Sequence, residues 1–520
     1  MKTLSAALAT FRLLSCSLAY LLACLLAALA VPRAGADAPA PAAKPQTRPN
    51  IVFFLVDDMG SQDCSLPFWS ETTALNKRYR TPNLELLAQG GTTFTQAYAC
   101  AVCSPSRTSL MTGQNAARHG VTCWTLRKNV SPEPANPKNM WKPAAWPYNG
   151  MCPDAGCERS FVCEQTLPRL LHDAGYFTIH CGKAHWGAKG TSGAEPKNFG
   201  FDVNIAGSYM GGPGSYWGEK KYSARWRGDD GIWDIPGLEK YHGTATYLTE
   251  ALTRESLATL DARPKDKPFY LYLAHYAVHA PFEADPAYVK KYQDMGLSKH
   301  DADYASMVEG MDHSVGQVRQ WLKESGQLDN TLFVFMSDNG SPSQNPRNLP
   351  LRGFKISCYE GGTRVPMVVC LPAAMRPAGG QVARQSDPVI IEDIFPTFLE
   401  AAGVDWAKVV KHPVDGRSFL PLTQHAQAAP GRDLLWHYPN TYDQAPWSSL
   451  RRGDFKLIWK HAGTLELYDL AKDIGEADNL AKAQPDKVRE LAKAMADLLK
   501  ARGGLRPTKN GQPVAWPDEL

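Results

Sequence analysis

An α/β fold follows from three features of this 520-residue chain. Short apolar runs of strand length recur along it, amphipathic helical stretches lie between them, and each run ends in a cluster of Asp, Asn, His or Lys. Alternating strands and helices build a large, mainly parallel sheet flanked by helices on both faces, and such sheets carry their sites at the carboxyl ends of the strands. The C-terminal part reads differently, as a small antiparallel sheet with a packing helix.

Taken in order, the N-terminus comes first. Lys2 and Arg12 precede an uncharged Leu/Ala-rich run, Leu13 to Val31, and "AGA" at 34–36 offers a small-residue cleavage site. Residues 1–36 therefore read as a secretory signal peptide. A retained single-span anchor is the alternative that the length of the run allows, and "LLAC", ending at Cys24, loosely matches a lipoprotein box. Residues 37–47, rich in Pro and Ala, read as a linker. The expected location is secreted or periplasmic, with membrane association only if the apolar segment is retained.

The main domain is expected over 48–425, opening with "RPNIVFFLVDDMG". Ile51 to Val56 is a continuous apolar run of β-branched and aromatic residues, the pattern of a strand buried on both faces, and two acids with a Gly end it. "AGYFTIHCGKAHWG", "KPFYLYLAHYAVHAPF" and "NTLFVFMSDNG" repeat the scheme, while "TPNLELLAQGG" and "EQTLPRLLHDAG" have helical spacing. A C-terminal subdomain is expected over 426–520, after the loose "TQHAQAAPG". "SSLRRGDFKLIW" and "TLELYDL" are short, alternating and turn-bounded. "DKVRELAKAMADLLK" follows, a helix with Val488, Leu491, Met495 and Leu498 along one face.

Composition excludes little but excludes it plainly. A formal net charge of +4 with scattered Lys and Arg gives no basis for nucleic-acid binding. Export permits disulfides. Of the 12 cysteines two lie in the signal, and Cys123, Cys152, Cys157 and Cys163, crowded around an aperiodic Pro/Trp-rich segment, are the disulfide candidates. They lack the paired spacing of a zinc site.

The polar clusters suggest chemistry. Asp57 and Asp58 end one strand, Asp338 and Asn339 another. Caps and turns explain most such residues singly; two pairs on one sheet edge supply oxygen ligands for a hard cation such as Ca²⁺ or Mg²⁺. Arg107, Lys183, Lys355, His185 and His279 could then hold an anionic ester against it.

The stretch "CSPSRTSLMTGQ", residues 103–114, resembles the C-x-P-S-R-x-x-x-x-T-G signature of the type I sulfatases, within the alkaline phosphatase superfamily. "NIVFFLVDDMG", "GKAHWG", "HAPF", "SDNG", "LRGFKISCYEGGTRVP" and "LYDLAKDIGEADNLA" resemble that family's other blocks, in the same order. The resemblance implies an alkaline-phosphatase-like fold and a sulfuric ester hydrolase, arylsulfatase-like in type. It implies that a maturation enzyme, reading Pro105 and Arg107, oxidises Cys103 to Cα-formylglycine, whose hydrate is the nucleophile. A gem-diol can attack sulfur with one oxygen and expel sulfate with the other, which an ordinary Ser or Cys cannot do. It further implies one divalent cation, usually Ca²⁺ with Mg²⁺ the lesser choice, on Asp57, Asp58, Asp338, Asn339 and the modified residue 103. Arg107 is expected beside the nucleophile, Lys183 and Lys355 on sulfate oxygens, His279 as acid toward the leaving alcohol, and His185 as base in the elimination.

Ala184, Trp186, Ser341 and Phe354 depart from the usual blocks without removing a reactive group, and put in question only the shape of the pocket wall. His119 and His275 read as structural. His437 and Arg451, in the C-terminal part, read as local partners rather than substrate ligands. The aromatic insertion at 207–243 and the segment at 124–163 suit a sulfated carbohydrate, with an aryl sulfate as a second substrate class. The competing readings are a phosphodiesterase or phosphonate monoester hydrolase of the same superfamily, and a non-catalytic protein that binds sulfated glycans.

Overall fold

A computed structural model of the chain describes residues 48–133, 141–342, 348–424 and 431–520. The expected signal peptide and linker, and the junction expected near residue 425, lie outside the described residues.

The strands form where the apolar runs stand. β1 (Asn50–Val56), β2 (Thr92–Tyr98), β3 (Phe177–Gly182), β4 (Val203–Ile205), β5 (Phe269–Ala274), β6 (Thr331–Ser337), β7 (Arg364–Cys370), β8 (Arg384–Gln385) and β9 (Val389–Ile390) make one nine-stranded sheet. Its order is β8-β2-β7-β6-β1-β5-β3-β4, with β9 also on β2. β1 runs parallel to both β5 and β6, and β3 parallel to β5 and β4. β7 alone runs against its neighbours β2 and β6, so the sheet is mainly parallel, as expected.

Strand alternation sorts the core into two layers. Val52, Phe54 and Val56 face one cluster, shared with α1 (Pro82–Gln89), while Ile51, Phe53 and Leu55 face the other, shared with α2 (Cys103–Thr112) and α3 (Leu167–Asp173). α4 (Leu248–Ala262) and α5 (Lys299–Glu324) complete the first layer, α6 (Ile394–Ala401) the second. A strand apolar on both faces is what two helical layers require.

β10 (Asp433–Tyr438), β11 (Trp447–Arg452), β12 (Phe455–Lys460) and β13 (Thr464–Asp469) form an antiparallel sheet. Leu435, Leu450, Leu457 and Leu467 turn to α7 (Pro485–Arg502), and Leu434, Trp436 and Ile458 turn to the cluster holding Cys103. Leu499, not Leu498, completes the buried stripe of α7 with Leu491 and Met495, and Val488 is half-buried. Two indoles pin this sheet to the large one, Trp436 Nε1 donating to Ala99 O at 2.9 Å and Trp447 Nε1 to Ile356 O at 3.0 Å.

The expected stapling of the Pro/Trp-rich segment is corrected. Cys123, Cys152, Cys157 and Cys163 are all free thiols in the structure. Polar contacts hold the segment instead: Asn149 Nδ2 donates to Asn129 Oδ1 (2.9 Å) and Glu158 O (2.8 Å), and Asn129 N donates to Asn149 Oδ1 (2.7 Å). A buried amide that uses its donors and acceptor this way fixes an aperiodic chain without a covalent bridge.

Candidate active site

The carboxyl edge of the central strands gathers the polar clusters. Asp57 and Asp58 leave β1, Asp338 and Asn339 leave β6, Lys183 and His185 leave β3, and His279 follows β5. The backbone locks the loops together: Asp57 N donates to Ala277 O (2.9 Å), Val278 N to Asp57 O (2.7 Å), and Lys183 N to Ala274 O (2.7 Å). The loop carrying Lys355 joins through Lys355 N to Ser341 O (2.9 Å) and Ile356 N to Ala101 O (2.8 Å). Asp58, His185 and Ile356 have φ of +61°, +58° and +75°. Non-glycine residues held in the left-handed region cluster at sites whose surroundings over-determine them.

Asp57, Asp58 and Asp338 are buried, with ligand oxygens within 4.8 Å of one another. Three cations face them. Lys183 Nζ lies 2.5 Å from Asp57 Oδ2, Lys355 Nζ 2.5 Å from Asp58 Oδ1, and Arg107 Nε 2.9 Å from Asp338 Oδ2. Arg107 also donates through Nη1 to Lys183 O at 2.7 Å, tying α2 to the β3 loop. Burial pushes the Asp57 carboxyl well up, with Asp338 and Asp58 adding to the rise against the pull of Lys183. Asp58 is held below the usual carboxylate range because Lys355, His279 and Lys183 outweigh the burial that raises it.

This donor set fits a hard cation. Asp57 Oδ1 and Asn339 Oδ1 are buried without a hydrogen-bond partner, and Asn339 Nδ2 donates to Asp58 Oδ1 at 2.7 Å, which holds the amide beside the carboxylates. Carboxylate and amide oxygens alone, with no imidazole or thiolate among the three clustered ligands, match Ca²⁺ or Mg²⁺ rather than zinc.

Cys103 is the first residue of α2, 3 % exposed and free. Burial raises its thiol pKa; the charges of Lys183 and Lys355 act to lower it, those of Asp57 and Asp338 to raise it. Ser104 Oγ donates to His185 O (3.0 Å) and Ser106 Oγ to Asp338 O (2.5 Å), so the residues flanking Pro105 bind the β3 and β6 loops.

The two histidines differ in surroundings. His185 Nε2 lies 2.7 Å from Thr125 O, so it carries the proton, and Nδ1 is buried and unpartnered. Burial, Lys183 and Arg107 hold its pKa well below the ordinary value, which keeps the ring neutral. His279 Nδ1 donates to Ala280 O (2.7 Å), leaving Nε2 3.7 Å from Asp58 Oδ2 on a side chain 25 % exposed. Burial, with Lys355 and Lys183 and against Asp58, lowers it to about 4. Gly211 and Gly212 pass over these rings: an ideal Cβ would stand 2.5 Å from His185 Cε1 and 2.7 Å from His279 Nδ1.

Every residue expected at the site is therefore on one edge. The residues read as structural each have a hydrogen-bond partner, and Arg451 reaches beyond its own sheet. His119 bonds Ser109 Oγ (3.1 Å), His275 bonds Ser314 Oγ (2.9 Å), and His437 bonds Ser448 Oγ (2.9 Å); Arg451 donates to Gly453 O (2.9 Å) and to Tyr98. Trp186 is fully buried against Phe199, Phe201 and Tyr272, so that departure is taken up by the core. Sequence reasoning missed the Thr125 carbonyl, which no side chain announces. It also missed the two glycines, although "YMGGPG" signals a close backbone approach.

Residues 49–404 match the Sulfatase family, and 354–502 match the family described as N-sulphoglucosamine sulphohydrolase, C-terminal. A sulfatase of Formosa agariphila is 29% identical over 518 residues, covering 87% of this chain and 88% of that protein. The N-acetylgalactosamine-6-sulfatase of Homo sapiens is 30% identical over 388 residues, covering 72% and 65%. The crystal structure of Ps i-CgsB aligns with a TM-score of 0.69 at 28% identity, over 90% of this chain and 95% of that one. The same protein in complex with k-i-k-neocarrahexaose aligns with a TM-score of 0.67 at 26% identity, over 90% and 95%.

Proposed function

The chain belongs to the sulfatase family and is a sulfuric ester hydrolase, and from that premise we propose that it desulfates a carbohydrate through a Cα-formylglycine made from Cys103. The observation that carries this reading is the convergence of Cys103, three buried carboxylates, two lysines and two histidines on one sheet edge. The carbohydrate is supported by the similarity to a galactosamine sulfatase and to a structure holding a neocarrahexaose.

In this reading Asp57, Asp58, Asp338 and Asn339 hold one divalent cation, Ca²⁺ by preference. The cation would supply Lewis-acid charge, and the modified residue a hydrated aldehyde as nucleophile. The chain's own side chains do the rest. Arg107 neutralises Asp338 and orients the Lys183 loop. Lys183 and Lys355 present ammonium groups to the sulfate oxygens, where positioned charge acts on the transition state. His279 has its Nδ1 proton fixed on Ala280 O, so Nε2 is the atom that faces the leaving group, and it passes a proton to the alcohol from the imidazolium, after Nε2 has itself taken up a proton from solvent. His185, with Nε2–H fixed on Thr125 O, keeps a free Nδ1 lone pair and takes a proton as sulfate departs.

Residues 1–36 would direct export and be removed, and 426–520, with their own sheet and helix, form a subdomain on the catalytic domain 48–425. Among the described residues no helix is long and apolar enough to cross a membrane. The test is co-expression with a formylglycine-generating enzyme, followed by intact mass of the peptide containing residue 103. A loss of about 18 Da relative to the thiol reports the aldehyde. The matured protein should turn over 4-nitrophenyl sulfate far faster than 4-nitrophenyl phosphate or a phosphodiester. An unmodified thiol with full activity, or a preference for phosphorus esters, would overturn the proposal.

A further inference from the structure

Resting on the carbohydrate reading above, we propose that Trp226 and Arg227 form an outer subsite, which holds a second, sulfated sugar of an oligosaccharide whose first sugar enters the catalytic centre. Trp226 lies in the short turn Arg225–Arg227 of the aromatic insertion and is 58 % exposed. One exposed indole is ordinary on a protein surface. This one is held in place and tied to the reaction centre.

Lys220 Nζ stands 4.5 Å from the centroid of the Trp226 ring and donates to Glu283 Oε1 at 2.7 Å. Glu283 Oε2 accepts from Ser215 Oγ and from Tyr216 N, both at 2.7 Å. Tyr216 Oη in turn donates to the carbonyl of His279 at 2.7 Å. An unbroken run of contacts therefore leads from the indole to the backbone of His279. A second tie joins the insertion to the loop that holds His185, since Arg127 Nη2 donates to Asp230 Oδ2 at 2.7 Å two residues beyond Thr125.

The charges around the ring leave a cation free. Asp234 is taken by Arg225 (2.6 Å), Asp230 by Arg127, and Asp229 by the backbone N–H groups of Gly231 (2.8 Å) and Ile232 (3.1 Å). Among the described residues Arg227 has no carboxylate partner, and its guanidinium carbon lies 6.0 Å from the Trp226 centroid. An apolar ring face beside an uncompensated guanidinium suits a pyranose that carries a sulfate: its C–H face stacks on the indole and its sulfate oxygens accept the planar fork. The Gly211-Gly212 segment of the same insertion packs against both histidines, so the insertion that carries Trp226 also walls the catalytic centre.

The test uses the matured enzyme, with 4-nitrocatechol sulfate as the small substrate and two series of competitors, neocarra-oligosaccharides and chondroitin 6-sulfate oligosaccharides, each of two and six sugars. With the subsite present, the six-sugar member of at least one series inhibits at a concentration about fivefold to tenfold lower than the two-sugar member. Trp226→Ala abolishes that length gain and leaves kcat/KM on the small substrate unchanged. Arg227→Gln abolishes it for sulfated competitors and not for chemically desulfated ones. No length gain in either series, a gain that survives Trp226→Ala, or an equal loss on the small substrate overturns the proposal. Failure of the sulfatase reading shows separately, as absent turnover of the small substrate. Calorimetric titration with the six-sugar compounds then tests the subsite without catalysis.

Discussion

Gly211→Ala adds one methyl group to the loop above His185, and its effect can be worked from distances. The new Cβ would stand 2.5 Å from Cε1, 2.8 Å from Nε2 and 3.1 Å from Nδ1, where ordinary contact begins at 3.4 Å. The ring has no room to retreat, being 2 % exposed with Nε2 bonded to Thr125 O at 2.7 Å and its main-chain N to Ser208 O at 2.9 Å. The loop is no freer, because Gly214 N is bonded to Trp233 O at 2.9 Å and an ideal Cβ on Gly214 would already meet Ala224 N at 2.2 Å. With both sides held, the overlap of about 0.9 Å is shared between the loop and the imidazole, which is pushed off its bonded position. Misplacing a catalytic group by roughly 1 Å costs on the order of 10²-fold in rate, or about 2.7 kcal/mol. Steady-state kinetics on 4-nitrophenyl sulfate should show kcat reduced about a hundredfold with KM within about threefold, since the sulfate-binding lysines are untouched. Gly379→Ala, with nothing within 4 Å, is the control and should be neutral. A Gly211→Ala enzyme that keeps more than half its kcat would show that His185 is not positioned by this contact.

Chelation should abolish turnover and Ca²⁺ should restore it, while Asp57→Asn should need at least about tenfold more Ca²⁺ for half-maximal rescue; calcium-independent activity would remove the cation from the reading. Lys456→Met removes the ammonium shared by two buried carboxylates, Glu360 at 2.9 Å and Glu476 at 3.0 Å from Nζ, and leaves Glu360 with Arg364 at 3.4 Å while Glu476 loses its cation. It should lower unfolding free energy by about 3–5 kcal/mol in denaturant titration; a loss under about 1 kcal/mol would show the trio unbalanced from the start. Glu392, buried with Oε2 unpartnered, is raised by burial from 4.5 to about 7. A carboxyl that holds its proton only in the folded state loses stability as pH rises from 4.5 to about 7, on the order of 3 kcal/mol in all. Glu392→Gln should flatten that slope in thermal melts, and an unchanged slope would refute the assignment.

What was legible depended on whether a side chain or a backbone carried the information. The apolar runs ending in Asp, Lys and His forecast β1, β3, β5 and β6 and their shared edge, because a strand buried on both faces must be apolar throughout. Cys103, Arg107, Lys183, Lys355 and the acids were legible because their chemistry is in their side chains. The contacts that set proton positions, Thr125 O for His185 and Ala280 O for His279, are carbonyls and carry no residue signature. The disulfide expectation failed for a related reason: crowding of cysteines in sequence says nothing of the Asn149 and Asn129 amides that secure that loop. The Glu360–Lys456–Glu476 trio was out of reach because it pairs the loop after Lys355 with a strand about a hundred residues later.

Charge explains why these pieces stand together. Asp57, Asp58 and Asp338 are matched by Arg107, Lys183 and Lys355, so the buried centre is neutral with every cation held by a carboxylate. A divalent cation on the carboxylates would compete with both lysines for the same negative charge and add positive charge to a water-poor site. That excess has to be met by an anion, and the lysines released from Asp57 and Asp58 are the groups nearest to meet it. Cation and sulfate ester should therefore bind with positive coupling: the affinity for Ca²⁺ measured by calorimetry should rise when inorganic sulfate is present, by the same factor as sulfate affinity rises with Ca²⁺. Lys183→Met and Lys355→Met should each weaken that coupling. Equal Ca²⁺ affinity with and without sulfate would mean that the lysines stay on their carboxylates and that the charge argument for sulfate binding is wrong.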